Sequence, residues 1–223
     1  MIQGTQSFSV IPIYPVASIP QEEAIFPHSI FRVSAKPAVT VPIEQRTSAV
    51  VLFIIKGYGM IKEENLYPMH AVYIPKGEEL VELISGINGL EYLMIRSSVK
   101  AAAGDASFFV EEMNRKNPYD KDCGHVYNRN WLNPEHGKER LEIPYSIGMT
   151  KIQPGKSEPP IYWGNLFHYI IEGQATFKVE GFEQKLKSGD SVIMDKTWQM
   201  GSSNDRPLKY LTIVARCWKK SES

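Results

Sequence analysis

Five histidines, two cysteines and a handful of acids and phenols carry whatever chemistry this 223-residue chain performs. The histidines are His28, His70, His125, His136 and His168, and no two of them form a His-x-His or His-x3-His pair. A transition-metal site needs about three or four imidazoles or carboxylates converging on one point, and this spacing gives no local start for one. Cys123 and Cys217 stand outside any Cys-x-x-Cys pair, so zinc-ribbon and thioredoxin-type motifs are excluded. Cys123-Gly124-His125 sets a thiol beside an imidazole, but adjacency in sequence does not create a nucleophile–base geometry.

His168 differs from the other four because it interrupts an apolar run, Leu166-Phe-His-Tyr-Ile-Ile171. Burial favours the neutral imidazole, which can accept a proton or polarise a carbonyl. His168 is therefore the expected catalytic residue, with no metal and no cofactor. Tyr162 and Tyr169 are weaker candidates as phenolic donors, Tyr169 pointing outward by alternation. Asp195 reads as a loop cap or an acid partner, and Arg216 as a solvated strand end.

The elements that must position these residues are strands. Ala49–Ile55 is short, β-branched and closed by Lys56-Gly57, the pattern of a buried strand and turn. Segments 71–74, 80–84 and 90–95 follow, the last two separated by Gly86 and Gly89. Asp105-Ala-Ser107 opens a predicted helix through Met113, with acids early and Arg115-Lys116 late. Residues 119–140 read as an irregular linker. Strand patterns return at 147–152, 166–171, 175–179, 191–194 and 210–215.

Phe53-Ile-Ile-Lys-Gly57-Tyr-Gly-Met-Ile61 matches Tyr169-Ile-Ile-Glu-Gly173-Gln-Ala-Thr-Phe177 in apolar pattern and turn glycine. Two tandem copies of one β-unit account for the length, and each must close on itself to bury its face. The predicted fold is all-β, with units at 1–104 and 141–223 and a helix and linker at 105–140.

On these residues the sequence resembles the cupins, whose motifs are G-x5-H-x-H-x3–4-E-x6-G and G-x5-P-x-G-x2-H-x3-N. Pro154-Gly155, Tyr169–Gly173, Gly189-Asp190 and Asn204 fit the frame in the second half, and Gly57 with Pro75-Lys-Gly77 in the first. The resemblance implies a bicupin, two tandem jelly-roll-like barrels. In this alignment the second half's histidine positions fall on Ile161, Trp163 and Met200, and the glutamate position on Leu166. The second motif's proline and glycine fall on Asp195 and Thr197. In the first half Val50 stands at the glutamate position and Leu80 at the second-motif histidine. At the ligand positions the isoleucine, tryptophan, leucine and valine side chains cannot ligate a metal, and the lone thioether of Met200 suits only copper.

If Leu166 occupies an inward ligand position, alternation turns His168 and Ile170 inward too, and the same count turns in Ile161, Trp163, Trp198 and Met200. The second barrel is then lined by Trp163, Trp198, Met200, Leu166, Ile161 and Ile170 around one imidazole, the composition of a small-molecule site. The same residues serve a barrel solidly filled by side chains. The first barrel, lined by Val50, Leu52, Ile54 and Leu80, is expected to be solid.

Lys plus Arg and Asp plus Glu are both 25, and the absence of a basic excess argues against a nucleic-acid partner. No apolar run approaches the roughly 20 residues of a membrane span. The leading stretch lacks a basic start and is broken by Pro12 and Pro15, so no signal peptide is expected. Two separate thiols fit a reducing cytoplasm, and pairing of barrels fits a homodimer. The expected function is a metal-independent enzyme acting on an apolar small molecule, an isomerase or cyclase of natural-product type. The alternative is a bicupin that binds a small molecule, or serves a structural role, without chemistry.

Overall fold

A computed structural model describes residues 8–14, 27–44, 47–77, 80–97, 104–113, 126–136, 139–158, 160, 166–194, 197–203 and 205–214. Among them the regular structure is all strand. In chain order the strands are β1 Phe8–Tyr14, β2 Ser29–Ala35, β3 Thr40–Ile43, β4 Val50–Ile61, β5 Glu64–Leu66, β6 His70–Ile74, β7 Val81–Arg96, β8 Phe109–Glu112 and β9 Val126–Leu132. They continue with β10 Glu135–His136, β11 Glu139–Arg140, β12 Ser146–Ile152, β13 Leu166–Glu172, β14 Gln174–Val179, β15 Phe182–Lys187, β16 Ser191–Met194, β17 Trp198–Ser202 and β18 Leu208–Val214. The chain divides into two compact units, Met1–Glu112 with Glu135–Ile143, and Met113–Pro134 with Pro144–Ser223. None of the helices is long and apolar enough to cross a membrane, since the described residues contain no helix.

The first unit is one antiparallel sheet in the order β1-β2-β7-β4-β6-β8, with β3 added to β7 and β5 to β4. Its two long strands bend at glycines. Gly57 has φ 82° and Gly89 φ 75°, and a Cβ on Gly57 would lie 2.2 Å from the Gly89 carbonyl oxygen. Only glycine permits both the left-handed backbone and this approach. Beyond the bend, β7 exchanges partners: Leu90–Arg96 pair with β2, while Val81–Ile84 pair with β3. The enclosed core contains Val33, Val41, Val50, Leu52, Ile54, Val72, Leu83 and Tyr92. Each buried aliphatic side chain of this kind stabilises by about 1.5–3 kcal/mol relative to exposure.

The second unit sets a five-stranded sheet, β16-β13-β18-β12-β9, with a three-stranded one, β15-β14-β17. A core of Ile152, Leu166, Ile170, Phe177, Trp198, Met200, Tyr210 and Val214 draws on both. Phe167, Tyr169, Leu211 and Ile213 occupy the opposite face of the five-stranded sheet and are also buried. Burial on both faces is why β13 and β18 read as unbroken apolar runs rather than alternating strands. Gly173, at φ 90°, repeats the role of Gly57: a Cβ there would lie 2.4 Å from the Pro207 carbonyl oxygen.

Three sequence expectations are corrected. The helix predicted over 105–113 is an extended segment ending in β8, which pairs with the edge of β6. Phe109 stacks on Tyr73 with centroids 5.3 Å apart, so aromatic pairing on a sheet edge outweighs the capping and charge pattern. The linker expected over 119–140 contains β9, paired with β12, and the β10–β11 hairpin; residues 119–125 lie outside the described residues. The turn expected at Gly86 and Gly89 is instead the interior of β7. One further residue is misplaced: Leu80 is 57% exposed, while its neighbour Val81 takes the inward position at 3%. A slip of one residue exchanges the faces of a strand.

Candidate functional site

The interior face of the second unit's large sheet carries one row of small and polar groups. Gly148 on β12 pairs with Thr212 on β18, Thr212 with His168 on β13, and His168 with Val192 on β16. His168 has 0% exposure. Its Nδ1 lies 2.9 Å from the Thr212 hydroxyl, and the ring makes a backbone hydrogen bond to Leu211. Nε2 has no hydrogen-bond partner among the described residues. Nδ1 is the nitrogen the sheet engages, and in the tautomer with its proton there Nε2 keeps its lone pair. Burial drives the pKa of His168 down to about 3, against which the Leu211 bond acts weakly upward. The imidazole is neutral at physiological pH and offers a bare acceptor nitrogen to the barrel interior.

Aromatic rings enclose it. Trp198, delivered by β17 from the opposite sheet, meets His168 edge-on at 4.4 Å between centroids. Tyr210, two residues before Thr212 on β18, meets it edge-on at 5.0 Å. The Tyr210 hydroxyl donates a short hydrogen bond to Glu158 Oε2, and Thr150, its cross-strand partner, hydrogen-bonds the same phenol. Glu158 follows an isolated bridge between Ser157 and Gly201. Its backbone N–H donates to the Met200 carbonyl at 2.8 Å, and Gln199 Nε2 donates to its carbonyl at 2.8 Å. These backbone bonds turn the carboxylate inward, where it is 2% exposed. Burial raises the Glu158 pKa to about 7, with the Tyr210 hydrogen bond pulling the other way. Burial and the adjacent carboxylate push the Tyr210 phenol well above its ordinary value.

Of the residues predicted to line this barrel, Leu166, His168, Ile170, Trp198 and Met200 are all buried, and all but the imidazole belong to the unit's apolar core. Ile161 and Trp163 lie outside the described residues, as do Tyr162, Asp195, Arg216, Cys123, His125 and Cys217. Sequence reasoning missed Glu158, Tyr210, Thr150 and Thr212. The signal for Tyr210 and Thr212 was present as alternation through Leu208-Lys-Tyr-Leu-Thr-Ile-Val214. Glu158 precedes Pro159, and nothing in the local pattern distinguishes it from a solvated loop acid.

In the first unit, Val50, Leu52 and Ile54 are fully buried as expected. A cavity of about 520 Å³ lies among β1, β2, β3 and the end of β7, with Tyr92 and Arg96 in its lining.

No protein-family model matches the sequence, and no curated protein matches it either. Solved structures do. A Pseudomonas aeruginosa protein described as glyoxylate-induced superposes with a TM-score of 0.76 at 16% identity, over 97% of this chain and 84% of that one. A cupin 2 conserved barrel domain protein from Leptotrichia buccalis gives 0.60 at 14%, over 97% and 92%. A Bacillus subtilis oxalate decarboxylase variant gives 0.65 at 12%, over 84% and 68%. The chain has the cupin fold. At these identities the likeness is one of fold, and cupins of this shape include both enzymes and proteins without an enzyme name.

The metal that many cupins hold can be tested against the residues here. Among the described residues no group of three or more His, Cys, Asp or Glu side chains is placed to hold an ion. Among the described residues the donors at the centre of the second barrel are one imidazole and one carboxylate that a phenol engages. These two groups fall short of the three or four converging ligands that iron, manganese, nickel or zinc requires.

Proposed function

We propose that this protein is a metal-independent cupin enzyme of isomerase type, acting on an apolar small molecule in its second barrel. The observation that carries the reading is the bare Nε2 of His168, buried with no partner among the described residues, on a ring that meets Trp198 and Tyr210 edge-on. Buried polar atoms are almost always hydrogen-bonded, and those left over concentrate where a ligand supplies the missing partner.

The chemistry follows from two groups whose environments push their pKa values apart. His168, held at about 3 by burial, is an acceptor at rest. It takes a proton only as negative charge develops on a substrate beside it and replaces the lost hydration. Glu158, raised to about 7 and bonded to Tyr210, holds a proton part of the time near neutral pH, the condition for a general acid. In this scheme a substrate C–H proton passes to Nε2 while Tyr210 delivers its hydroxyl proton to a neighbouring centre. With Glu158 protonated the bond between the two runs from carboxyl to phenol, so Glu158 re-protonates Tyr210, and the proton on His168 passes to the Glu158 carboxylate through water as the product leaves, restoring both groups. The double bond moves and no proton is gained or lost overall. Carbonyl polarisation by His168 itself needs an Nε2–H donor, which the tautomer with its proton on Nδ1 lacks.

Deuterium incorporation into cyclohex-3-en-1-one and related apolar ketones in D2O, followed by NMR, tests the proposal. His168→Gln is expected to lower incorporation by about 100-fold or more while leaving the protein folded. Equal incorporation by a folded variant contradicts the role. The second reading is a cupin that binds without turnover. It is favoured by the weakness of a base at about 3, and saturable ligand binding with no exchange would establish it.

A further inference from the structure

The cavity of the first unit is an independent site. It lies wholly among first-unit residues, where Val33, Val41, Ile43 and Met94 form apolar walls and Tyr92 and Arg96 contribute polar atoms. At about 520 Å³ its volume falls in the range of small-molecule pockets.

Two features of the lining ask for a ligand. The Tyr92 hydroxyl is buried without a hydrogen-bond partner among the described residues, and burial holds the phenol protonated, far above its ordinary pKa. It is therefore a donor with nothing to donate to among the described residues, a state that burial makes costly. The Arg96 guanidinium is half-buried, and its one recorded contact is Met94 Sδ at 3.9 Å from Nη2, a weak acceptor. No carboxylate pairs with it among the described residues, although Glu44 also lines the rim. By contrast Arg32, on the neighbouring strand, is paired with Glu91 at 2.7 Å. Arg96 stands at the last position of β7, and Tyr92 four residues earlier on the same strand. Positions four apart on a strand share a face, so both serve the same cavity, one at its mouth and one deeper among the apolar walls.

We infer that this cavity binds a small monocarboxylic acid with an apolar body, its carboxylate on Arg96, its body against Val33, Val41, Ile43 and Met94, and an acceptor atom on Tyr92. One guanidinium balances one negative charge, and Glu44 at the rim disfavours a dianion such as a phosphate monoester. This inference goes beyond the reading of the second barrel and stands or fails separately from it.

Calorimetric titration at pH 8 with 4-phenylbutanoate, against the neutral 4-phenylbutan-1-ol, provides the test. The wild type is expected to bind the acid at least about tenfold more tightly than the alcohol. Arg96→Gln is expected to abolish that preference, and Arg96→Lys to keep part of it. Tyr92→Phe removes an unpaired hydroxyl, so it is expected to leave the thermal midpoint unchanged or raised while weakening the acid a few-fold. Val41→Trp, which fills the cavity, is expected to remove binding of both compounds. Absence of saturable binding of 4-phenylbutanoate to the wild type at millimolar concentration overturns the inference. So does an acid preference that survives Arg96→Gln, or binding that survives Val41→Trp.

Discussion

The two barrels share a frame and differ in what fills it. Both pass a strand over a left-handed glycine pressed against a neighbouring carbonyl, Gly57 on Gly89 and Gly173 on Pro207. In the first unit the strand runs on through that glycine as β4, whereas in the second the chain breaks there into β13 and β14. The first barrel's interior is aliphatic around a phenol with no partner among the described residues, and it opens to a cavity. The second barrel's interior is aromatic around an imidazole, a phenol and a carboxylate that bond to one another or to the sheet. The difference teaches that the repeat encodes backbone geometry, and that function is set by the few polar residues each copy places on its inward face.

The shared frame supplies the largest effect. Gly57→Val and Gly173→Val each force a β-branched residue into a left-handed backbone and drive its Cβ into a carbonyl oxygen. Each is expected to cost at least about 3 kcal/mol or to prevent folding, read by urea unfolding. If only one of the pair is damaging, the two glycines are not equivalent and the comparison breaks.

The next effect belongs to the second barrel alone. His168 has its folded pKa depressed from 6.5 to about 3, so its contribution to stability is present above pH 6.5 and is lost as pH falls toward 3. Glu158 has its folded pKa raised from 4.5 to about 7, so its contribution is present below pH 4.5 and is lost as pH rises through 7. Between pH 4.5 and 6.5 the two slopes oppose each other. His168→Leu is expected to leave the Glu158 slope exposed, making stability relative to wild type rise toward acid. Glu158→Gln is expected to make it rise toward alkali. Thermal midpoints of both variants across pH 3.5–8 check the signs, and parallel curves would contradict the buried placement of these groups.

Tyr210→Phe is smaller. It leaves the Glu158 carboxyl without its phenolic donor, at a cost of about 1–3 kcal/mol, and is expected to move the Glu158 titration above 7. The smallest effect is the matching change in the first barrel. Tyr92→Phe deletes a hydroxyl that has no partner among the described residues, so its stability change is expected to be near zero or favourable. The same Tyr→Phe substitution with opposite consequences sharpens the contrast between the barrels, and equal losses would erase it.

Much of the frame was legible in the sequence. Apolar runs, turn glycines and the repeat at Gly57 and Gly173 located β4, β6, β12, β13, β14, β16 and β18, because hydrophobic periodicity and left-handed glycines act locally. What failed was decided by partners distant in sequence. Phe108-Phe-Val-Glu-Glu reads as helix until the edge of β6 is there to receive it. Leu80 and Val81 differ only in register, which β3 and β4 impose. His168 stood out because an imidazole in an apolar run is conspicuous. Its setting did not, since Tyr210, Thr212 and Glu158 reach it only through the β13–β18 pairing and the turn after β12. The cavity lined by Tyr92 was hidden for a related reason: a volume depends on how side chains from four strands pack together, which no single strand records.

The central claim is that His168 presents a neutral, unprotonated Nε2 to the second barrel. Nitrogen-15 NMR of protein labelled at histidine, recorded from pH 4 to 8, tests it most directly. One imidazole is expected to show a protonated Nδ1 and a bare Nε2 that stay unchanged over the whole range, and to disappear in His168→Gln. A His168 signal that titrates near 6.5, or one carrying its proton on Nε2, would contradict the account.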